Sequence, residues 1–93
     1  MRRASKVDGQ QSVIVAALRR VGWQVRSTSM VGDDFPDLIC ASRGRTVLFE
    51  VKSAGKEQTQ GQREFSEHWP GELYVVRTVE EALAAVLGKE VMR

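Results

Sequence analysis

Three residues carry the chemistry this sequence offers: Asp37, Glu50 and Lys52. Asp37 opens the apolar run Asp37-Leu38-Ile39-Cys40-Ala41, and Thr46 to Lys52 forms a second run, with Ser42-Arg43-Gly44-Arg45 between them. Two strand-like runs joined by a short glycine-containing turn predict a β-hairpin. A two-residue loop, Arg43-Gly44, pairs Ser42 with Arg45, and counting outward sets Asp37 opposite Glu50. A four-residue loop keeps that register, whereas a three-residue loop slips it by one. In the first register the two carboxylates share one face of the sheet with Cβ atoms about 4.5–5.5 Å apart. Lys52, two residues beyond Glu50, points the same way.

Like charges directly opposite destabilise a sheet unless something compensates them. Lys52 supplies one positive charge, and a divalent cation supplies two. Mg²⁺ and similar hard cations take oxygen ligands, commonly one or two carboxylates completed by water and phosphate. Such a site orients water and stabilises charge on a phosphate. The alternative is a solvent-facing sheet surface on which Glu50 and Lys52 are ordinary edge polarity. Asp33 and Asp34, just upstream, are either further ligands or part of a solvated turn.

The rest of the composition narrows the chemistry. His68 is the only histidine and Cys40 the only cysteine among 93 residues, which disfavours a histidine-based hydrolase, a zinc cluster and an internal disulfide. Cys40 reads as a small core residue in a reducing compartment. A formal net charge of +2 and a pI near 9.0 are compatible with a polyanionic partner and equally with ordinary solvated charge. The basic residues gather as Arg2, Arg3 and Lys6, and again as Arg43, Arg45, Lys52 and Lys56. No apolar run approaches the roughly 20 residues of a membrane span, and Met1-Arg2-Arg3 leads into no apolar signal core, so a cytoplasmic location is expected.

The elements that must position the triad follow from periodicity. Val13, Ile14, Ala17, Leu18 and Val21 at helical spacing predict a helix from about residue 6 to residue 21, capped by Ser5 with Asp8 or by Asp8 with Gln11. Alternation from Trp23 to Ser27 predicts a strand, and residues 30–36 a loop. After the hairpin, residues 53–58 read as a loop. Thr59 begins a helix through Trp69 with Phe65 and Trp69 on one face, where core packing is favoured over base stacking. Leu73 to Arg77 reads as a strand, and Thr78 with Glu81 caps a last helix striped by Val79, Ala82, Leu83, Val86 and Leu87. The order α-β-β-β-α-β-α predicts one α/β domain over residues 1–93, a mixed central sheet flanked by helices.

Phe35-Pro36-Asp37, twelve intervening residues, then Glu50-Val51-Lys52 resembles the signature of the PD-(D/E)XK superfamily. With Gly55-Lys56, Gln62 and the run Val75 to Ala82 in order, the chain resembles the VRR-NUC branch over residues 7–87. The resemblance implies a restriction-endonuclease-like core and a Mg²⁺- or Mn²⁺-dependent DNA endonuclease. It implies Asp37, Glu50 and the backbone carbonyl of Val51 as metal ligands, Lys52 at the attacking water or the phosphate, and Gln62 within the site. Gln62 is equally the box partner of a Thr59 cap. The branch usually carries a glutamate on the first helix, where this chain offers Asp8 and Gln11. Arg43, Arg45 and Lys56 are the expected DNA contacts. Stand-alone members of the branch resemble Holliday-junction resolvases, which implies a homodimer acting on branched or double-stranded DNA; Ala82, Ala84, Ala85, Val91 and Met92 are candidate interface residues. A non-catalytic nucleic-acid-binding or assembly module with the same fold is the competing reading.

Overall fold

Arg43 and Gly44 set the geometry of the sheet. Both take left-handed backbone, with φ of 53° and 80°. That is the signature of a two-residue hairpin turn whose twist matches the flanking strands, and glycine meets its demand without a Cβ penalty. The computed structural model describes residues 9–88. In it, β2 (Leu38–Ser42) and β3 (Arg45–Val51) pair antiparallel with Ser42 opposite Arg45 and Leu38 opposite Phe49. This is the register expected from a two-residue loop.

β1 (Gln24–Ser27) pairs antiparallel with β2, and β4 (Glu72–Val76) pairs parallel with β3, giving a mixed sheet in the order β1-β2-β3-β4. The parallel pair is joined through α2 (Gln60–His68), as a crossover requires. α1 (Gly9–Arg20) precedes the sheet, and α3 (Val79–Leu83) follows it, passing into a π-helical turn at Ala84–Gly88. Asp8, Val91 and Met92 lie outside the described residues.

Strand alternation sorts the sheet into two faces. Val25, Leu38, Cys40, Val47, Phe49 and Val76 meet Ile14 and Leu18 of α1 and Ala82 and Val86 of the C-terminal helix in one buried core. Burial pushes the Cys40 thiol up to about 12, so it stays protonated and inert, as a packing residue should. The opposite face carries Ile39, Leu48 and Glu50. Val13 and Val21, expected on the core stripe of α1, are exposed instead, because the buried line runs through Ile14 and Leu18, one helical turn apart. Ala82, a candidate interface residue, is spent on the monomer's own core.

Arg45 locks the far end of the sheet to the C-terminal helix. Its guanidinium makes two 2.8 Å bonds to the Glu72 carboxylate and donates to the carbonyls of Val86 and Ala85 at 2.8 and 3.1 Å. It also lies 5.6 Å from the centre of the Trp23 ring. The bonds to Glu72 hold the Arg45 pKa above its ordinary value. Arg45→Met should therefore cost about 2 kcal/mol, lowering the melting temperature by roughly 8–16 °C. Thermal denaturation followed by circular dichroism checks this; an unchanged midpoint contradicts it.

Candidate active site

The carboxylates meet where the hairpin strands end. Asp37 sits one residue before β2, its N–H donating to the carbonyl of Phe49 at 3.0 Å. Its Oδ2 accepts from the backbone N–H of Val51 at 2.8 Å, which fixes the side chain against the end of β3. Glu50 lies on the same strand and is only 3% exposed, the one polar or charged residue among the buried ones described. The alternative of a solvent-facing surface pair therefore fails at Glu50.

Two groups approach one oxygen of that carboxylate. Gln62 donates from Nε2 to Oε2 at 3.1 Å, and Lys52 Nζ stands 3.7 Å from the same atom. Oε1 has no hydrogen-bond or ion-pair partner among the described residues. A carboxylate this buried and this incompletely paired resists ionisation. Burial, with Asp37 and then Asp34 adding like charge against the pull of Lys52, raises the Glu50 pKa from 4.5 to about 7.

Gln62 serves both roles that sequence left open. Its backbone N–H donates to Thr59 Oγ1 at 3.1 Å while its Oε1 accepts from the Thr59 N–H at 3.0 Å, completing a capping box. The amide nitrogen left over is the one that reaches Glu50. The start of α2 thus holds the catalytic candidate in place through one side chain.

Asp33 and Asp34 are exposed and lie in a turn, as the solvated-turn reading expects, and the charge of Asp34 still reaches Glu50, adding to the rise in its pKa. Asp33 and Asp34 adopt φ of 55° and 65°, turning the chain back over the first turn of α2. There the Asp34 carboxylate fills the space a Cβ on Gly61 would occupy, with Cγ 2.7 Å from that position. The next residue, Phe35, anchors the loop by packing edge-on against Phe65 and Trp69, ring centres 5.4 and 6.3 Å away. Trp69 stacks on Phe65 at 5.3 Å, as the packing reading expects, yet keeps 37% of its surface exposed. The adjacency of Asp33 and Asp34 to Pro36-Asp37 was the only sequence signal; the left-handed turn is what brings Asp34, an exposed residue, against Gly61.

The basic residues divide differently from the sequence expectation. Arg43 and Arg45 lie at the turn end of the hairpin, Arg45 about 17 Å along the strand from Glu50 and Arg43 in the turn just beyond it. Arg45 is moreover committed to Glu72 and the helix carbonyls, so neither serves as a DNA contact beside the carboxylates. Lys56 is on the site side: Arg77, at the end of β4, donates to its carbonyl at 2.6 Å and pins the 53–58 loop there. Arg77 is a residue sequence reasoning did not single out. Gln11 is half-buried in the first turn of α1.

The donor set fits a hard divalent cation: facing acidic oxygens, one of them buried without a partner, at the open end of two strands. Among the described residues no group of three or more His, Cys, Asp or Glu side chains is arranged to hold a metal ion. Water and substrate phosphate would complete the coordination of the two carboxylates, the usual habit of Mg²⁺.

Glu50 dictates a pH-dependent stability. Between pH 4.5 and about 7 the folded chain takes up a proton that the unfolded chain does not, so this contribution is lost as pH rises through about 7. Glu50→Gln, free of the buried charge, should stabilise the metal-free protein on the order of 2 kcal/mol at pH 8 and by little at pH 5. Melting curves across that range test it; an equal shift at both pH values contradicts the buried charge.

No protein-family model and no curated protein matches this sequence, so the identity of the site rests on its geometry.

Proposed function

We propose that this chain is a Mg²⁺- or Mn²⁺-dependent endonuclease that hydrolyses the phosphodiester backbone of DNA, built on a restriction-endonuclease-like core. The observation that carries the reading is Glu50: a nearly buried carboxylate with an unpartnered oxygen, facing a second carboxylate and flanked by a lysine. A binding module gains nothing from acidic groups aimed at phosphate, which favours turnover over the non-catalytic alternative.

Asp37, Glu50 and the carbonyl of Val51 would hold the ion, which supplies Lewis-acid stabilisation of phosphate charge and a water of lowered pKa. Lys52, its amine beside Glu50 Oε2, holds the attacking water or neutralises the phosphate. Gln62 keeps the Glu50 carboxylate in one orientation, and the Val51 N–H does the same for Asp37. Lys56 borders the same end and supplies positive charge to a DNA backbone, while Arg77, paired with Glu57 and bonded to the Lys56 carbonyl, holds that loop in place. Branched DNA is the favoured substrate: a four-way junction has approximate two-fold symmetry, and a C2 homodimer would supply paired metal sites to match it.

Incubation of the purified protein with linear, flapped and four-way DNA, with and without Mg²⁺ or Mn²⁺, tests the proposal. Asp37→Ala and Glu50→Ala should each abolish metal-dependent cleavage while remaining folded. Lys52→Ala should lower the rate at saturating DNA by about 10²–10³-fold with affinity nearly unchanged, since one lysine is a small part of the phosphate contacts. Full cleavage by either carboxylate variant overturns the assignment, and a collapse of affinity at normal rate makes Lys52 a docking residue.

A further inference from the structure

We propose that the open edge of β1 carries a phosphate-binding groove, formed by Arg19, Arg26 and the backbone N–H of Val25, which grips the DNA backbone close to the cut. The inference takes its substrate from the nuclease reading above, on which it rests, and names contacts that hold that substrate. β1 stands first in the order β1-β2-β3-β4, so one of its sides has no strand beside it. There Arg19, Gln24, Val25 and Arg26 line a groove of about 480 Å³, with no acidic residue among those lining it. Arg19 reaches over from the end of α1 and donates from Nη2 to the Val25 carbonyl at 2.9 Å. That carbonyl therefore points away from β2, and in an antiparallel strand the N–H of the same residue points the same way. Arg26, exposed beside it, has no hydrogen-bond or ion-pair partner among the described residues.

Exposed arginines are commonly no more than solvated charge, and it is placement that sets these two apart. Register puts Arg26 on the sheet face that carries Glu50: Arg26 lies opposite Ile39, Ile39 lies opposite Leu48, and Glu50 is two residues further along β3. Two strand spacings and two residue steps separate the Cα atoms of Arg26 and Glu50 by about 12 Å. With one strand of a duplex rising about 3.4 Å per nucleotide, the phosphate that Arg26 meets lies within about four nucleotides of the scissile one. Arg19 is tied down by one nitrogen, and the rest of its planar fork is left to pair with phosphate oxygens. Guanidinium and backbone N–H groups are the donors that fix a protein on the DNA backbone without reading its sequence. A second copy of the chain is a poor occupant. Pairing through β1 needs the Val25 carbonyl that Arg19 already holds, and it brings like charges together.

The test compares the groove pair, Arg19→Gln with Arg26→Gln, against a pair of equal charge outside the groove, Arg20→Gln with Arg43→Gln. Binding of a labelled DNA duplex without divalent ion is followed by fluorescence anisotropy over a range of salt, and cleavage with Mn²⁺ is measured in parallel. The groove pair should weaken binding roughly 10–100-fold at low salt and flatten the slope of log affinity against log salt by about two, one for each lost phosphate contact. Arg26→Gln alone, which removes no bond within the described fold, should flatten it by about one. The cleavage rate at saturating DNA should not change in either. Equal losses from the two pairs overturn the groove and leave only an effect of net charge, as does a slope that the groove pair leaves unchanged. A lower mass for the groove pair alone in light scattering also overturns it and makes the edge an interface between copies. A flattened slope in a protein that cleaves no DNA with Mg²⁺ or Mn²⁺ overturns the nuclease reading and upholds the groove as a DNA contact, so the two fail separately.

Discussion

A glutamate held almost out of water, opposite a second carboxylate, is the constraint around which this molecule is arranged. Glu50 is 3% exposed, and the charge of Asp37 makes its ionisation harder still. A domain of this size has only a small margin of stability, so a buried like-charge contact is a substantial burden on it. Partial relief comes from within. Lys52 and Gln62 both address Oε2, and neither reaches Oε1. The compensation is thus left incomplete on the side where a cation would complete it.

The scaffold is built to keep this unfavourable pair in place. The Arg43-Gly44 turn fixes the hairpin register, and a slip by one residue would carry Glu50 to the opposite face. At the other end of the strands the Val51 N–H holds Asp37, and the Thr59 capping box delivers Gln62 to Glu50. The aromatic trio of Phe35, Phe65 and Trp69 binds the acidic loop to α2, so that Asp34 comes to rest against Gly61. Remote from all this, Arg45 secures the last helix over the core. Preorganisation of this kind is what a metal-dependent site needs from its protein.

The hairpin was legible in the sequence because its information is local. Turn chemistry at Arg43-Gly44 and alternation on either side suffice to set Asp37 and Glu50 on one face, and the Thr59–Gln62 spacing suffices for the cap. The α/β class and the mixed sheet followed from element order. What escaped was set by tertiary contact. The place of Asp34 depends on left-handed backbone at two aspartates, which no spacing encodes. Arg45 looked like a basic surface residue beside Arg43, but its partner Glu72 is 27 residues away in the chain. The last helix was expected to run evenly to Leu87; its Thr78 cap is where expected, accepting from Glu81 at 3.0 Å, yet the Glu81 carboxylate reaches the N–H of Arg77 rather than that of Thr78. Beyond Leu83 the helix widens to π geometry, where Arg45 takes the carbonyls of Ala85 and Val86.

Divalent-ion binding by the free protein tests the central claim without depending on substrate. Calorimetric titration with Mn²⁺ at pH 8 should show at least one ion bound per chain at a site that requires both carboxylates. Asp37→Asn and Glu50→Gln should each abolish it, and affinity should fall as pH drops below about 7, where Glu50 takes up its proton. Binding that is absent in the wild type, or that persists undiminished in Glu50→Gln, contradicts a metal held between Asp37 and Glu50.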